Sequence, residues 1–283
     1  EGVHTSAGYE VKSVLENSPA DREESRLMVG DVITSVNQQS LENDNFYAML
    51  TDQANMPVLL EVQRPSDETF VKKEIVIWPT TSLSNQLYDA WVKERRRLTE
   101  EYSRGRLGYL HIRGMNWTSF ERFERELMAA GYGKDGIVID VRYNGGGWTT
   151  DYLMAVLNVK QHAYTIPRGA AQNLEKEHVK FKDAYPYSER LPLSAWTKPS
   201  IAMSNENSYS NAEIFSHAYK ALNIGKLVGR PTFGAVISTG SYQLVDGSRV
   251  RMPYRGWWVK ESGENMDFVP ATPDIEVFNP PAY

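Results

Sequence analysis

The 283-residue sequence contains no cysteine. This absence excludes disulfides, zinc–thiolate sites, iron–sulfur clusters and a cysteine nucleophile. No apolar run reaches the ~18 residues of a transmembrane helix. Neither a Walker loop nor a GxGxxG string is present, and we expect neither a cofactor nor a metal. Histidine is scarce, so chemistry that needs an imidazole has few candidates, which are His4, His111, His162, His178 and His217.

Positive charge is in slight deficit, with 31 lysines and arginines against 36 aspartates and glutamates, so the net charge is −5. This balance argues against non-specific binding of nucleic acid. The hydrophobic share of 41% and the charged share of 24% are ordinary for a globular protein and exclude a disordered chain. At about 150 residues per domain, the length indicates two domains.

The first four residues lack the basic start and the apolar stretch of a signal peptide, and the chain does not begin with methionine. We therefore expect that a leader has been removed or that the chain is a fragment of something longer. The sequence leaves the compartment open between the cytoplasm and the periplasm or exterior of a prokaryote.

Residues 1–79 are predicted to form a small β-rich domain. Apolar patterning predicts one helix at 41–50 and strands at 9–15, 32–36, 58–62 and 75–77. The strings NSPA at 17–20 and GDVI at 30–33 resemble the PDZ domain family. That resemblance implies a sheet edge that binds an extended peptide. A β domain that only packs against its neighbour is the alternative.

Residues 80–105 are predicted to be a helical connector, because apolar residues recur there at helical spacing. From residue 106 to residue 283, strands alternate with helices, which indicates an α/β domain with helices covering a sheet. The expected strands lie at 107–112, 136–141 and 200–203, and the expected helices at 120–130, 151–157 and 212–222.

Two strand-to-helix junctions in this domain are candidates for chemistry. The first is the loop from Asn144 to Gly147, whose three glycines let backbone N–H groups approach a ligand. It could cradle a phosphate, form half of an oxyanion hole, or be a tight turn only. The second is Ser210, placed between a strand and a helix N-terminus, where free N–H groups would stabilise a nucleophile's anion. Ser210 could equally be an N-cap, with Glu213 completing a capping box.

Three motifs in chain order resemble the S41 family of serine peptidases: YSNAEIF at 209–215, GKLVGRPTFG at 225–234 and DVRYNGGG at 140–147. A preceding PDZ-like domain is also typical of that family. The resemblance implies a crotonase-like (ClpP/crotonase-type) α/β peptidase core after the PDZ-like domain. It also implies a serine peptidase that acts on peptides or unfolded polypeptides, with homo-oligomers common in the family.

The family has two catalytic styles, and this sequence resembles one of them. A Ser–Lys dyad would need its lysine 25 positions after Ser210, where Ala235 stands. The strings GYLHI at 108–112 and GEN at 263–265 resemble the tricorn-like branch, whose serine works with a histidine, a second serine and a glutamate. Residue by residue, this implies the following roles: Ser210 as nucleophile, Glu264 as the glutamate, Gly147 and Asn211 as oxyanion-hole donors, and Thr165 at the substrate-binding position.

Thr165 stands where the tricorn-like branch has an aspartate that selects basic residues, so a neutral or small apolar pocket is expected. The catalytic histidine of that branch precedes the PDZ domain, and we expect the base to lie upstream of this chain. A catalytically inactive peptide-binding module is the main alternative. A crotonase-type enzyme is a weaker one, because it would lack the serine motif and the PDZ domain.

Overall fold

The computed structural model describes residues 1–41, 46–66, 69–182 and 194–278. The chain divides into two compact units, Glu1–Glu94 and Arg95–Tyr283. The division falls inside the predicted connector 80–105. In the described ranges, no helix is both long and apolar enough to cross a membrane.

The first unit is built on an antiparallel sheet with the strand order β1-β2-β3-β5-β6, and β4 pairs with β3. Its core is apolar because alternate residues of β5 point inward; Val58, Leu60 and Val62 are almost fully buried. The predicted helix at 41–50 is described only in its second half, since residues 42–45 lie outside the described ranges. The elements are β1 (Gly2–Thr5), β2 (Gly8–Val11), β3 (Val32–Val36), β4 (Gln39–Ser40), α1 (Phe46–Met49), β5 (Val58–Ser66) and β6 (Thr69–Ile77).

The second unit is an α/β domain, as predicted. Its five-stranded sheet has the order β13-β10-β9-β8-β7, and every adjacent pair is parallel. The elements from α2, which begins in the first unit, are α2 (Ser84–Tyr102), β7 (Leu107–His111), α3 (Trp117–Gly131), β8 (Gly136–Asp140), α4 (Thr150–Leu157), α5 (Leu174–Glu177), β9 (Ser200–Ser204), α6 (Asn211–Ala221), β10 (Lys226–Gly229), β11 (Ile237–Gln243), β12 (Arg249–Gly256) and β13 (Ile275–Glu276).

Helix α3 buries one apolar stripe. In α3, Phe120, Phe123 and Leu127 recur at helical spacing and are each at most 1% exposed. The helix starts after Asn116, whose side chain accepts a hydrogen bond from the Ser119 N–H. All five residues of β8 are buried, which explains why Ile137, Val138 and Ile139 follow one another without a polar residue between them.

The antiparallel pair β11–β12 forms a separate two-stranded sheet, which we did not predict. Every residue of β12 is exposed, although Val250, Met252 and Tyr254 alternate with polar positions along it. This alternation and the Asp246–Gly247 turn between the strands are the signals that indicate a hairpin here. This ribbon supplies one wall of the site described next.

Candidate active site

The buried strand β8 ends in a charged cluster that holds the glycine loop in place. Asp140 is fully buried, and both of its oxygens accept hydrogen bonds from the Arg142 guanidinium at 2.6–3.0 Å. The Tyr109 hydroxyl donates to the same carboxylate at 2.7 Å, and burial raises the pKa of that phenol. Because a buried charge is costly without a partner, this pairing anchors the backbone where the loop begins.

Asn144 ties the glycine loop to the serine junction. Its side chain donates to the Ile112 carbonyl at 2.8 Å and accepts from the Gly146 N–H at 2.9 Å. Its own carbonyl accepts from the Tyr209 N–H at 2.9 Å, next to Ser210. Asn144 is fully buried, so these bonds set the distance between the two junctions.

Gly146 and Gly147 are glycines because the loop approaches its neighbours closely. Gly146 has φ +87°, and a Cβ on it would lie 2.7 Å from the Ser210 Cβ. Gly147 has φ +143°, and a Cβ on it would lie 1.9 Å from the Met115 carbonyl oxygen. A side chain at either position would force the backbone to move.

Ser210 occupies a strained conformation at the start of α6. Its φ of 57° and ψ of −117° lie outside the regions that residues with a Cβ normally adopt. Non-glycine residues held in such a conformation concentrate at functional sites. The predicted placement between a strand and a helix N-terminus is confirmed by β9 and α6.

Glu213 holds the serine junction and a distant loop together. Its fully buried carboxylate accepts from the Ser210 N–H at 3.0 Å, the helix-cap bond that the sequence suggested. It also accepts from the Thr232 hydroxyl at 2.8 Å, from the Ala235 N–H at 3.0 Å and from the Gly234 N–H. The cap is therefore one part of a larger network that connects the serine to residues 232–235.

Asn211 joins the N-termini of α4 and α6. Its side-chain oxygen accepts from both the backbone N–H and the hydroxyl of Thr150, each at 3.0 Å. The Thr150 hydroxyl also lies 2.8 Å from the Asn211 carbonyl oxygen. Sequence patterns gave no sign of this tie, of the bonds made by the Asn144 side chain to Ile112, or of the bond from Thr232 to Glu213, because each joins residues more than 18 positions apart.

Two N–H groups beside Ser210 have no acceptor within the described part of the chain. The Asn211 N–H opens α6, where no intrahelical carbonyl is available. The Gly147 N–H has no acceptor there, because the backbone of Met115 bonds to the residue before Gly147 and to the residue after it. Such a pair of donors around a serine is suited to stabilising an oxyanion.

Ser210, Gly147 and Asn211 line one pocket of about 480 Å³. The β11–β12 ribbon forms its opposite wall, through Ile237, Thr239 and Arg251 among others. In the described residues, no group of three or more histidine, aspartate or glutamate side chains could hold a metal ion.

Two predicted site residues do not line this pocket. Thr165 is exposed in an irregular segment. Glu264 is exposed and accepts a hydrogen bond from the Ser262 hydroxyl at 2.8 Å. Their roles remain predictions that follow from the resemblance.

None of the five histidines lines the pocket, all of them being among the described residues. His111 is buried in β7 and bonds to the Arg142 carbonyl at 2.8 Å. His217 lies on α6 and bonds to the Val269 carbonyl at 3.2 Å. His178 lies 2.6 Å from the Tyr164 hydroxyl.

Ala235 occupies the position where a Ser–Lys dyad would have its lysine. Its N–H and the Ser210 N–H bond to the same Glu213 oxygen, Oε1, at 3.0 Å each. The two nitrogens therefore lie no more than about 6 Å apart, within reach of a lysine side chain. The alanine leaves this position without a base.

We expect the second unit to lose stability as the pH falls from about 7 to about 5. Burial is the largest effect on His111 and His217, and it lowers the pKa of both imidazoles below the ordinary 6.5. Below about pH 6.5 the unfolded chain then binds more protons than the fold, which favours unfolding. Urea midpoints across this range measure the effect. His217→Gln should flatten the dependence; a midpoint that rises on acidification would contradict this account.

The chain belongs to peptidase family S41, whose family model matches residues 106–277. The PDZ domain model matches residues 1–62. Both findings confirm the fold class predicted from the motifs: an S41 peptidase core preceded by a PDZ domain.

Curated relatives and a solved structure place the chain near the tricorn proteases. It is 26% identical to "Tricorn protease" of Thermoplasma volcanium over 98% of this chain and 26% of that protein. It is 32% identical to "Tricorn protease homolog 1" of Streptomyces coelicolor over 88% of this chain and 22% of that protein. The crystal structure of the tricorn protease matches 95% of this chain and 25% of its own, with a TM-score of 0.77 and 25% identity. The chain thus spans about a quarter of these proteins.

Proposed function

We propose that this chain is the PDZ and catalytic part of a serine peptidase that cleaves peptides or unfolded polypeptides. One observation carries the proposal: Ser210 is held in a strained conformation and lines a pocket together with Gly147 and Asn211, whose N–H groups have no acceptor among the described residues. The Ser210 Oγ attacks the substrate carbonyl carbon, and the oxyanion accepts hydrogen bonds from the Gly147 and Asn211 N–H groups. The amine leaves, and water then hydrolyses the acyl-enzyme.

The proton of the Ser210 hydroxyl needs a base that then protonates the leaving amine. No histidine of this chain lines the pocket, and Ala235 offers no lysine. We therefore propose a neutral histidine from a segment outside residues 1–283, oriented through a second serine by Glu264. A homo-oligomer is proposed on family resemblance alone.

The first unit is proposed to bind the polypeptide. Its groove of about 530 Å³ is mainly apolar and is lined by residues of β2, α1 and their neighbours, including Tyr9, Phe46 and Leu50. Tyr9 and Phe46 stack at 4.6 Å, and burial is the main reason that the pKa of Tyr9 rises to about 12. Strand β1 is the outer strand of the sheet, so an extended peptide could pair with its free edge.

A peptide-binding protein without catalysis is the second candidate. The pocket that contains Ser210 is lined by neither a histidine nor a lysine among the described residues, and this observation favours the second candidate. Under this alternative, the PDZ groove would carry the function, and Ser210 would act as a helix cap only.

Labelling with a fluorophosphonate distinguishes the two candidates. We expect a reagent of this class to modify Ser210 in this chain. The modification should be faster when the segment that carries the histidine is added. Modification should vanish in Ser210→Ala. It should persist in Ser238→Ala, because Ser238 lines the same pocket but its hydroxyl accepts from the Trp257 indole at 2.8 Å. No labelling with the segment present would favour the binding protein.

A further inference from the structure

The two ends of the Asn211 side-chain amide differ in their hydrogen bonding. The Oδ1 atom accepts from the Thr150 backbone N–H and from the Thr150 hydroxyl, each at 3.0 Å. Because a backbone N–H can only donate, the amide atom that faces Thr150 must be the oxygen. The other end of the amide is therefore the Nδ2 nitrogen, which is a donor only.

The Nδ2 donor has no acceptor among the described residues. Asn211 as a whole is only 7% exposed, and it lines the pocket that contains Ser210. Nδ2 is not sealed inside the protein, because the fully buried side-chain polar atoms without a partner in the described ranges belong to Ser35 and Trp196. Since the rest of Asn211 is buried, this donor is open to a ligand in the pocket that the residue lines.

The amide is also fixed in one orientation. Thr150 is 2% exposed and is the first residue of α4, so its N–H has no carbonyl within its own helix. The Asn211 oxygen satisfies that N–H, and turning the amide over would leave it unpaired while a second N–H group faced it. The free donor thus keeps its direction before a ligand arrives, which lowers the entropy cost of a hydrogen bond to that ligand.

A neutral N–H donor in a nearly buried position is suited to a carbonyl oxygen. Most buried donors in proteins are paired, so an unpaired donor in a pocket indicates an acceptor that comes from outside the chain. A polypeptide offers such an acceptor at every residue, because each peptide unit carries one carbonyl oxygen.

We propose that Asn211 Nδ2 donates a hydrogen bond to a backbone carbonyl oxygen of the polypeptide in the pocket, and that Thr150 positions this donor. Asn211 then contacts the substrate twice, through its backbone N–H at the oxyanion and through its side chain at a neighbouring carbonyl. The inference rests on the proposed function, which places a polypeptide beside Ser210. It goes beyond the oxyanion role, which uses only a backbone N–H and which most residue types could supply.

Peptide binding to the Ser210→Ala variant tests this contact without turnover. The probe is a short peptide of alanine, leucine and serine, with acetylated and amidated ends that leave it uncharged and avoid capture of a free carboxylate by the PDZ domain. We expect the peptide to shift the Asn211 side-chain amide resonances in the NMR spectrum of protein made with isotope-labelled asparagine. The absence of these resonances in Asn211→Asp assigns them.

Affinities of the same peptide for further variants measure what the donor contributes. Asn211→Asp keeps the oxygen that faces Thr150 but removes the donor, so the affinity should fall about ten-fold. Asn207→Asp is the matched control, because it adds the same charge at an exposed position before Ser210 and outside the pocket; it should leave the affinity unchanged. Thr150→Val should weaken binding about three-fold. Thr150→Ser should restore it, because serine returns the hydroxyl but not the methyl group.

Four results would overturn the proposal: amide resonances of Asn211 that do not move with the peptide, undiminished affinity in Asn211→Asp, an equal loss in Asn207→Asp, or no measurable binding. The outcome is independent of the labelling experiment. A shifted amide without labelling of Ser210 would reject the peptidase and keep the contact, whereas labelling without a shift would do the reverse.

Discussion

Replacing Glu213 by alanine should destabilise the second unit by on the order of 4 kcal/mol. The carboxylate is fully buried and accepts from three backbone N–H groups and one hydroxyl. A buried donor left without an acceptor costs about 1–3 kcal/mol. The summed cost of the donors left without an acceptor is a large fraction of the free energy of unfolding of a typical domain, which is ~5–15 kcal/mol. Urea unfolding followed by tryptophan fluorescence measures the loss.

Two further variants distinguish the loss of the hydrogen-bond network from the loss of one negative charge. Glu213→Gln should cost less, because one oxygen remains to accept two of the four bonds. Glu206→Ala removes an exposed carboxylate from the loop before Ser210 and should change the free energy of unfolding by no more than about 0.5 kcal/mol. If Glu213→Ala were as harmless as Glu206→Ala, the buried network would not hold the serine junction.

Replacing Gly147 by alanine should slow the labelling of Ser210 by on the order of 10²–10³-fold. The backbone there has φ +143°, and the new Cβ would meet the Met115 carbonyl oxygen at 1.9 Å. The loop must therefore shift, and its free N–H moves with it. The loss of one oxyanion donor accounts for an effect of this size. The measurement is the second-order rate constant for fluorophosphonate modification.

Gly145 offers a matched control in the same loop. Its φ is not positive, and a Cβ on it would have no neighbour within 4 Å. Gly145→Ala should therefore label at nearly the wild-type rate. Similar losses in both variants would show that any side chain in the loop interferes, and the assignment of Gly147 as a donor would lose its support.

Much of the site could be predicted because its parts have local signals. A short apolar strand followed by Ser210, and by Glu213 three residues later, is typical of a helix start, and the structure has a strand, a strained serine and a helix there. The three glycines after β8 likewise indicated a close approach of the backbone. The fold class followed from motifs in both units.

The rest depends on contacts between distant parts of the chain. No local sequence pattern predicts the hydrogen bond between Glu213 and Thr232 or the one between Asn144 and Ile112. Val250, Met252 and Tyr254 alternate with polar positions along β12, so the sequence does indicate a strand there, but no local pattern indicates that the β11–β12 ribbon forms a wall of the Ser210 pocket.

The most direct test of the central claim is a crystal structure of the chain after reaction with a phosphonate. The account predicts a covalent bond from phosphorus to the Ser210 Oγ. It also predicts a phosphoryl oxygen about 2.7–3.1 Å from the Gly147 and Asn211 nitrogens. An adduct on another serine, or a phosphoryl oxygen that faces away from both N–H groups, would contradict it.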